Sequence, residues 1–178
     1  MKAIITYLIA AAAVAAAYFT KESVPADLHP QLGAGAVVLA FVVAMLGTID
    51  NLVSLKVRRI VIAALFALYG FAAVYGYDSV NPQSDLIVGG VFLIGVMILF
   101  LTKTVPAGCC LLLIVFGLWT GFNIGLIGGF ITILMASIGF AIIWKIRSKE
   151  FVGCGAPICI AIALILVNRM AIYGLPFF

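Results

Sequence analysis

Phe116-Gly117-Leu118-Trp119-Thr120-Gly121-Phe122-Asn123-Ile124-Gly125-Leu126-Ile127-Gly128-Gly129-Phe130 is the middle of an apolar run that extends from Pro106 to Lys145. One helix crosses the hydrocarbon of a bilayer in about 20 residues, so a run of this length exceeds a single span. Glycine recurs at every fourth position, Gly117, Gly121, Gly125 and Gly129. On one continuous helix these four form a flat stripe for close backbone approach. Alternatively Gly121 to Gly125, with Asn123, forms a tight turn between two helices, and the length of the run favours that reading. A third reading is a broken or re-entrant hairpin whose freed backbone groups face a substrate together with Thr120 and Asn123. No inverted repeat supports it.

The rest of the chain has the same character. Of 178 residues, 66% are hydrophobic and 9% charged, against about a quarter charged in a soluble domain. The reading is an all-α polytopic transmembrane bundle, a single integral domain with no soluble part. Seven spans are drawn at about 3–19, 32–53, 60–75, 86–101, 107–121, 125–144 and 156–172, and the short ones leave six possible. The first, Ala3 to Phe19, has signal-peptide features and is read as a retained helix. All six prolines, Pro25, Pro30, Pro82, Pro106, Pro157 and Pro176, fall in the proposed loops or at helix ends, where a missing N–H costs little.

Charge placement orients the bundle. With the N-terminus inside, Lys2, Lys56, Arg58, Arg59, Lys103, Lys145, Arg147 and Lys149 face the cytoplasm, and only Lys21 and Arg169 lie outside. The positive-inside rule expects that asymmetry, and Asp78 and Asp85 mark a loop on the opposite side. The expected location is therefore a prokaryotic cytoplasmic membrane. Tyr75, Tyr77, Trp144, Tyr173, Phe177 and Phe178 lie near helix ends, as interfacial anchors do. The net charge of +4 comes from these topology signals, and nucleic acid is not an expected partner.

Chemistry-bearing residues are sparse. Ion-coupled transport usually leaves ionisable groups deep in the membrane, and here Asp50 is the best candidate, in Thr48-Ile49-Asp50-Asn51 near the inner end of the second span. Pairing with the nearby Lys56, Arg58 or Arg59 explains it without a coupling role. Asn168-Arg169 lies near the outer end of the last span, where the arginine can snorkel to headgroups or meet an anionic group on a partner. Asp50, Asn51, Asn123 and Arg169 are thus the candidate polar or partner contacts, and Gly117, Gly121, Gly125 and Gly129 the candidate packing face.

His29 with Glu22 and Asp27 is too little for a metal or catalytic site. The four cysteines, Cys109, Cys110, Cys154 and Cys159, read as small apolar filler. With no nucleophile elbow, phosphate loop or zinc-protease helix, neither a cofactor nor an enzyme activity of this chain alone is expected. The expected partners are the lipid bilayer and either a larger multi-span membrane subunit or copies of the chain itself, the latter packed through Gly117, Gly121, Gly125 and Gly129. A further reading is a small substrate-capturing or channel-forming protein with Asn123, Thr120 or Asp50 lining a cavity.

Two stretches resemble the small membrane subunit of the tripartite tricarboxylate transporter family. One is Val24-Pro25-Ala26-Asp27-Leu28-His29-Pro30-Gln31-Leu32-Gly33, leading to a helix with Gly47. The other runs from Gly129-Phe130 through the basic loop Lys145-Ile146-Arg147-Ser148-Lys149 to Gly174-Leu175-Pro176. The likeness covers roughly half the chain. Three features depart from it: a Gly-Pro is missing from the outer loop, His29 replaces an aromatic, and Ile60 to Lys103 forms an extra hairpin. The resemblance implies a chain that accompanies a large transport subunit and an extracytoplasmic carboxylate-binding protein. The implied role is assembly or docking, and no substrate-binding residue carries over.

Overall fold

The computed structural model describes residues 2–54, 58–77, 80–102, 105–146 and 153–173. Lys56, Asp78, Lys103, Arg147, Lys149, Pro176, Phe177 and Phe178 lie outside the described residues, as do the side chains of Lys2, Asn123, Trp144 and Tyr173. Among the described residues six α-helices follow one another, α1 Lys2–Thr20, α2 His29–Ser54, α3 Arg59–Val74, α4 Pro82–Leu101, α5 Ala107–Ile146 and α6 Gly155–Tyr173, with 3-10 turns at Lys21–Ser23 and Ala26–Leu28 between α1 and α2. In hydrocarbon every backbone N–H and C=O must find its partner within the protein, and a helix provides that locally. Stretches Ile4–Ser23, Ala26–Val53, Pro82–Leu101 and Gly155–Ile172 are long and apolar enough to cross a membrane, and Arg59–Val74, Ala107–Gly121 and Ile127–Ile143 are shorter apolar helices. The chain is an all-helical polytopic bundle of membrane-protein character.

Helix α5 is not straight. Straight, its 40 residues would reach about 60 Å at 1.5 Å per residue, twice the roughly 30 Å hydrocarbon core. Gly121 has φ +57°, a left-handed conformation that glycine adopts without a Cβ clash. Beyond it the chain doubles back. Phe116 and Phe130 would be about 21 Å apart on a straight helix, yet Phe92 packs on both, with ring centroids 5.3 and 5.1 Å away. A Cβ on Gly129 would stand 2.6 Å from the Thr120 methyl. The arms Ala107–Gly121 and Ile127–Ile143 therefore lie side by side.

The contacts define two ends. At one, Arg58 Nε is 2.8 Å from Asp50 Oδ2, Gly47 meets Val61 and Cys159, and Phe140 packs with Ala156, Leu52 and Ile160. Arg58, Arg59 and Lys145 lie here, so this is the basic end. At the other, the His29 and Tyr75 rings are 5.6 Å apart and Gly33 abuts Tyr77. His29 Nε2 lies 3.2 and 3.1 Å from the carbonyls of Lys21 and Val24. Both carbonyls only accept, so that nitrogen donates, and His29 serves as a clasp for its loop.

Helix α6 is central and α1 peripheral: 61% of the apolar window of α6 is buried, against 11% for α1. Close approach depends on small residues, as expected where lipid tails give no hydrophobic drive to association. Helices α4 and α5 interlock reciprocally: Gly89 receives Leu118, and Gly117 receives Phe92. Gly70 receives Val14, which seats α1 on α3. The outward faces stay apolar, including Leu8 and Phe19 of α1, Ile94 and Leu101 of α4, and Met135 of α5.

The reading of all four cysteines as filler is corrected for two of them. Cys109, in the first turn of α5, is disulfide-bonded to Cys154 just before α6, with Cα atoms 6.3 Å apart. Cys110 and Cys159 are buried free thiols. A loop of this size stabilises a fold by about 2–4 kcal/mol when closed. Cys109→Ser should therefore lower resistance to SDS unfolding by about that amount, whereas Cys110→Ser should not. Mass spectrometry of the isolated protein, denatured and alkylated without reduction, should find label on Cys110 and Cys159 only.

Candidate functional site

A charged cluster is buried one turn inside the end opposite the basic one. Helix α4 starts before its apolar run because Asn81 caps it, its Oδ1 accepting from Gln83 N at 3.2 Å, with Pro82 at the first position. That start puts Asp85 in the first turn, where the positive end of the helix dipole favours a carboxylate. Asp85 is 1% exposed. Tyr69 of α3 donates its hydroxyl to Asp85 Oδ2 at 3.1 Å. Arg169 of α6 donates from Nη2 to Asp85 Oδ1 at 3.2 Å. Both carboxylate oxygens are thereby engaged.

Arg169 also donates from Nε to the Trp119 carbonyl at 2.8 Å. That carbonyl needs such a donor because the helix breaks two residues later, at Gly121, and the last carbonyls of a helix have no intrahelical partner. A cation there also opposes the negative end of the dipole. Trp119 is fixed in turn: its Nε1 donates to Leu65 O at 3.2 Å, and its ring meets Tyr69 edge-on at 5.3 Å. Gly121 closes the site from below, since a Cβ there would collide with Asp85 Oδ1 and Arg169 Nη2.

The cluster thus joins α3, α4, the end of the first arm of α5, and α6. Chemically it is a closed polar lock. The carboxylate, guanidinium, phenol and indole N–H are all engaged with one another or with backbone, and no nucleophile stands beside a base among these groups.

The sequence candidates separate in space. Arg169, expected at the headgroups or on a partner, is 1% exposed and meets an anion of its own chain, because Asp85 offers a full countercharge at the same depth. Asn51 is likewise buried rather than available to a partner, its Nδ2 donating to Gly47 O at 3.1 Å. Asp50 pairs with Arg58. The side chain of Asn123 and the surroundings of Gly125 lie outside the described residues.

The glycines do not make one stripe. Gly117 faces α4, Gly121 sits at the break under the ion pair, and Gly129 faces Thr120 of its own helix. All three are buried within the chain, so they cannot serve as the face of a homo-oligomer.

Sequence reasoning missed Asp85, Tyr69 and Trp119 as site residues. Asp85 reads as a loop marker because the apolar run begins just after it, and Tyr69 is one aromatic within an apolar helix. The available signal was that Asp85 and Arg169, of opposite charge, each fall within about a turn of a helix end on the same side. The chain matches no known family, no curated protein and no solved structure.

Proposed function

We propose that this protein is an accessory subunit of a multi-subunit membrane transporter, one that packs against a larger multi-span partner and does not itself carry the substrate path. The observation that supports this reading is the inward use of polar groups: the buried Asp85, Arg169, Tyr69 and Trp119 neutralise and satisfy one another. A substrate path would present such groups to a cavity. Outward, the helices offer apolar faces with small notches at Gly90 and Gly95 of α4 and Gly139 of α5, where a Cβ would meet nothing within 4 Å. Notches of that kind suit a neighbouring helix. That the transported solute is a carboxylate, delivered by an extracytoplasmic binding protein, rests on the family resemblance alone.

In the same proposal the chain crosses the membrane seven times, the two arms of α5 counting separately, with the N-terminus in the cytoplasm of a prokaryotic cell. The basic end then faces inward. Cys109 and Cys154 share that end, in a compartment that keeps thiols reduced. An N-in chain should accordingly show both thiols free in intact cells and bridged after isolation. A bond already complete in cells treated with a permeant alkylating agent would argue for the inverted orientation.

The decisive experiment is purification from native membranes in lipid nanodiscs. A large multi-span protein in stoichiometric amount is the expected companion. A lone chain that moves solute in proteoliposomes would overturn the proposal.

A further inference from the structure

We infer that a groove between α1, α3 and the first arm of α5 holds one anionic phospholipid, with an acyl chain in the groove and the phosphate at the basic end. The groove has a volume of about 540 Å³ and is lined by Tyr7, Leu8 and Ala11 of α1, Ile62 and Phe66 of α3, and Leu111 of α5, among others. Its lining is apolar.

The mouth carries the charge complementarity. Ile62 and Leu111 lie about one turn into α3 and α5, and Tyr7 fewer than two turns into α1, each counted from the N-terminus of its helix. Three helix N-termini therefore border the same end of the groove, and each brings first-turn N–H groups and the positive end of a dipole. Arg59, exposed in the first turn of α3, precedes Ile62 by three residues and Phe66 by seven, the spacing of one helix face. A positive mouth above an apolar slot fits an amphiphile with an anionic head. A transmembrane helix of a partner would meet a positive mouth with no apolar use, and would need contact along the whole length of α1. The inference holds for either orientation of the bundle and does not depend on the transporter reading.

The full chain, reconstituted in phosphatidylcholine nanodiscs, would be probed with acyl-spin-labelled phosphatidylglycerol and phosphatidylcholine. The immobilised fraction of each is then read by electron paramagnetic resonance. Phosphatidylglycerol should be immobilised preferentially, and Arg59→Gln should reduce the preference about five-fold, the effect of one basic group at a membrane surface (about 1 kcal/mol). Ala11→Phe, at an exposed position on the groove wall, should reduce immobilisation of both lipids by filling the slot. Equal immobilisation of the two lipids by the wild type, or an unchanged preference in Arg59→Gln, would overturn the inference. So would disulfide cross-linking of Leu8→Cys to a second chain, since a protein would then occupy the groove.

Discussion

Arg169→Ala should lower the unfolding free energy by about 3–5 kcal/mol, the cost of leaving one member of a buried ion pair without its partner. The side chains of Arg169 and Asp85 are 1% and 2% exposed, so neither water nor lipid can replace the missing guanidinium. The same change removes the donor to the Trp119 carbonyl, leaving the end of the first arm of α5 uncapped. Arg169→Lys separates the two roles: an ammonium keeps the charge but lacks the planar fork that reaches Asp85 and Trp119 together. It should therefore lose less than the alanine variant. Asp85→Leu combined with Arg169→Met should recover part of the loss, because removing both charges avoids the uncompensated ion. SDS titration followed by tryptophan fluorescence checks the series, with Trp119 inside the cluster as reporter. Equal losses for the single and double variants would show that the pair contributes nothing through its charge.

Much of the architecture was legible because apolar length and charge placement are properties of segments. A bilayer imposes a minimum run on every helix, and the run from Pro106 to Lys145 was too long for one. Its division at Gly121 needed only that length and the glycines. The lock was not legible for a different reason. Asp85 and Arg169 are 84 residues apart, and composition places each at a helix end without saying which way it faces. A charge near a helix terminus is ordinarily a headgroup contact. What reverses this is the arrival of a second, opposite charge at the same depth, which is a matter of helix neighbours. The glycine ladder is the complementary case. A four-residue spacing implies one face only if the helix continues, and the turn at Gly121 sends Gly117 and Gly129 to different neighbours.

That division of labour among the glycines makes Gly121 the position where the smallest substitution should do the most damage. Gly121→Ala places a Cβ on a residue with φ +57°, which costs about 1–2 kcal/mol in the left-handed region. The same Cβ falls against Asp85 Oδ1 and Arg169 Nη2, so the ion pair must open to admit it. Opening it completely adds up to about 3–5 kcal/mol. Gly95→Ala and Gly139→Ala are the controls, since a Cβ at either meets nothing within 4 Å. Each should leave stability unchanged or raise it by up to about 1 kcal/mol, the helix preference of alanine over glycine. A graded comparison in one detergent then separates backbone strain from loss of the lock. Gly121→Ala in the background of Asp85→Ala with Arg169→Ala should cost little beyond the left-handed penalty, because the side chains it displaces are gone. If Gly121→Ala were as destabilising in that background as in the wild type, the break in α5 would be held by its backbone alone, and Arg169 would be a passenger at the end of the helix rather than its cap.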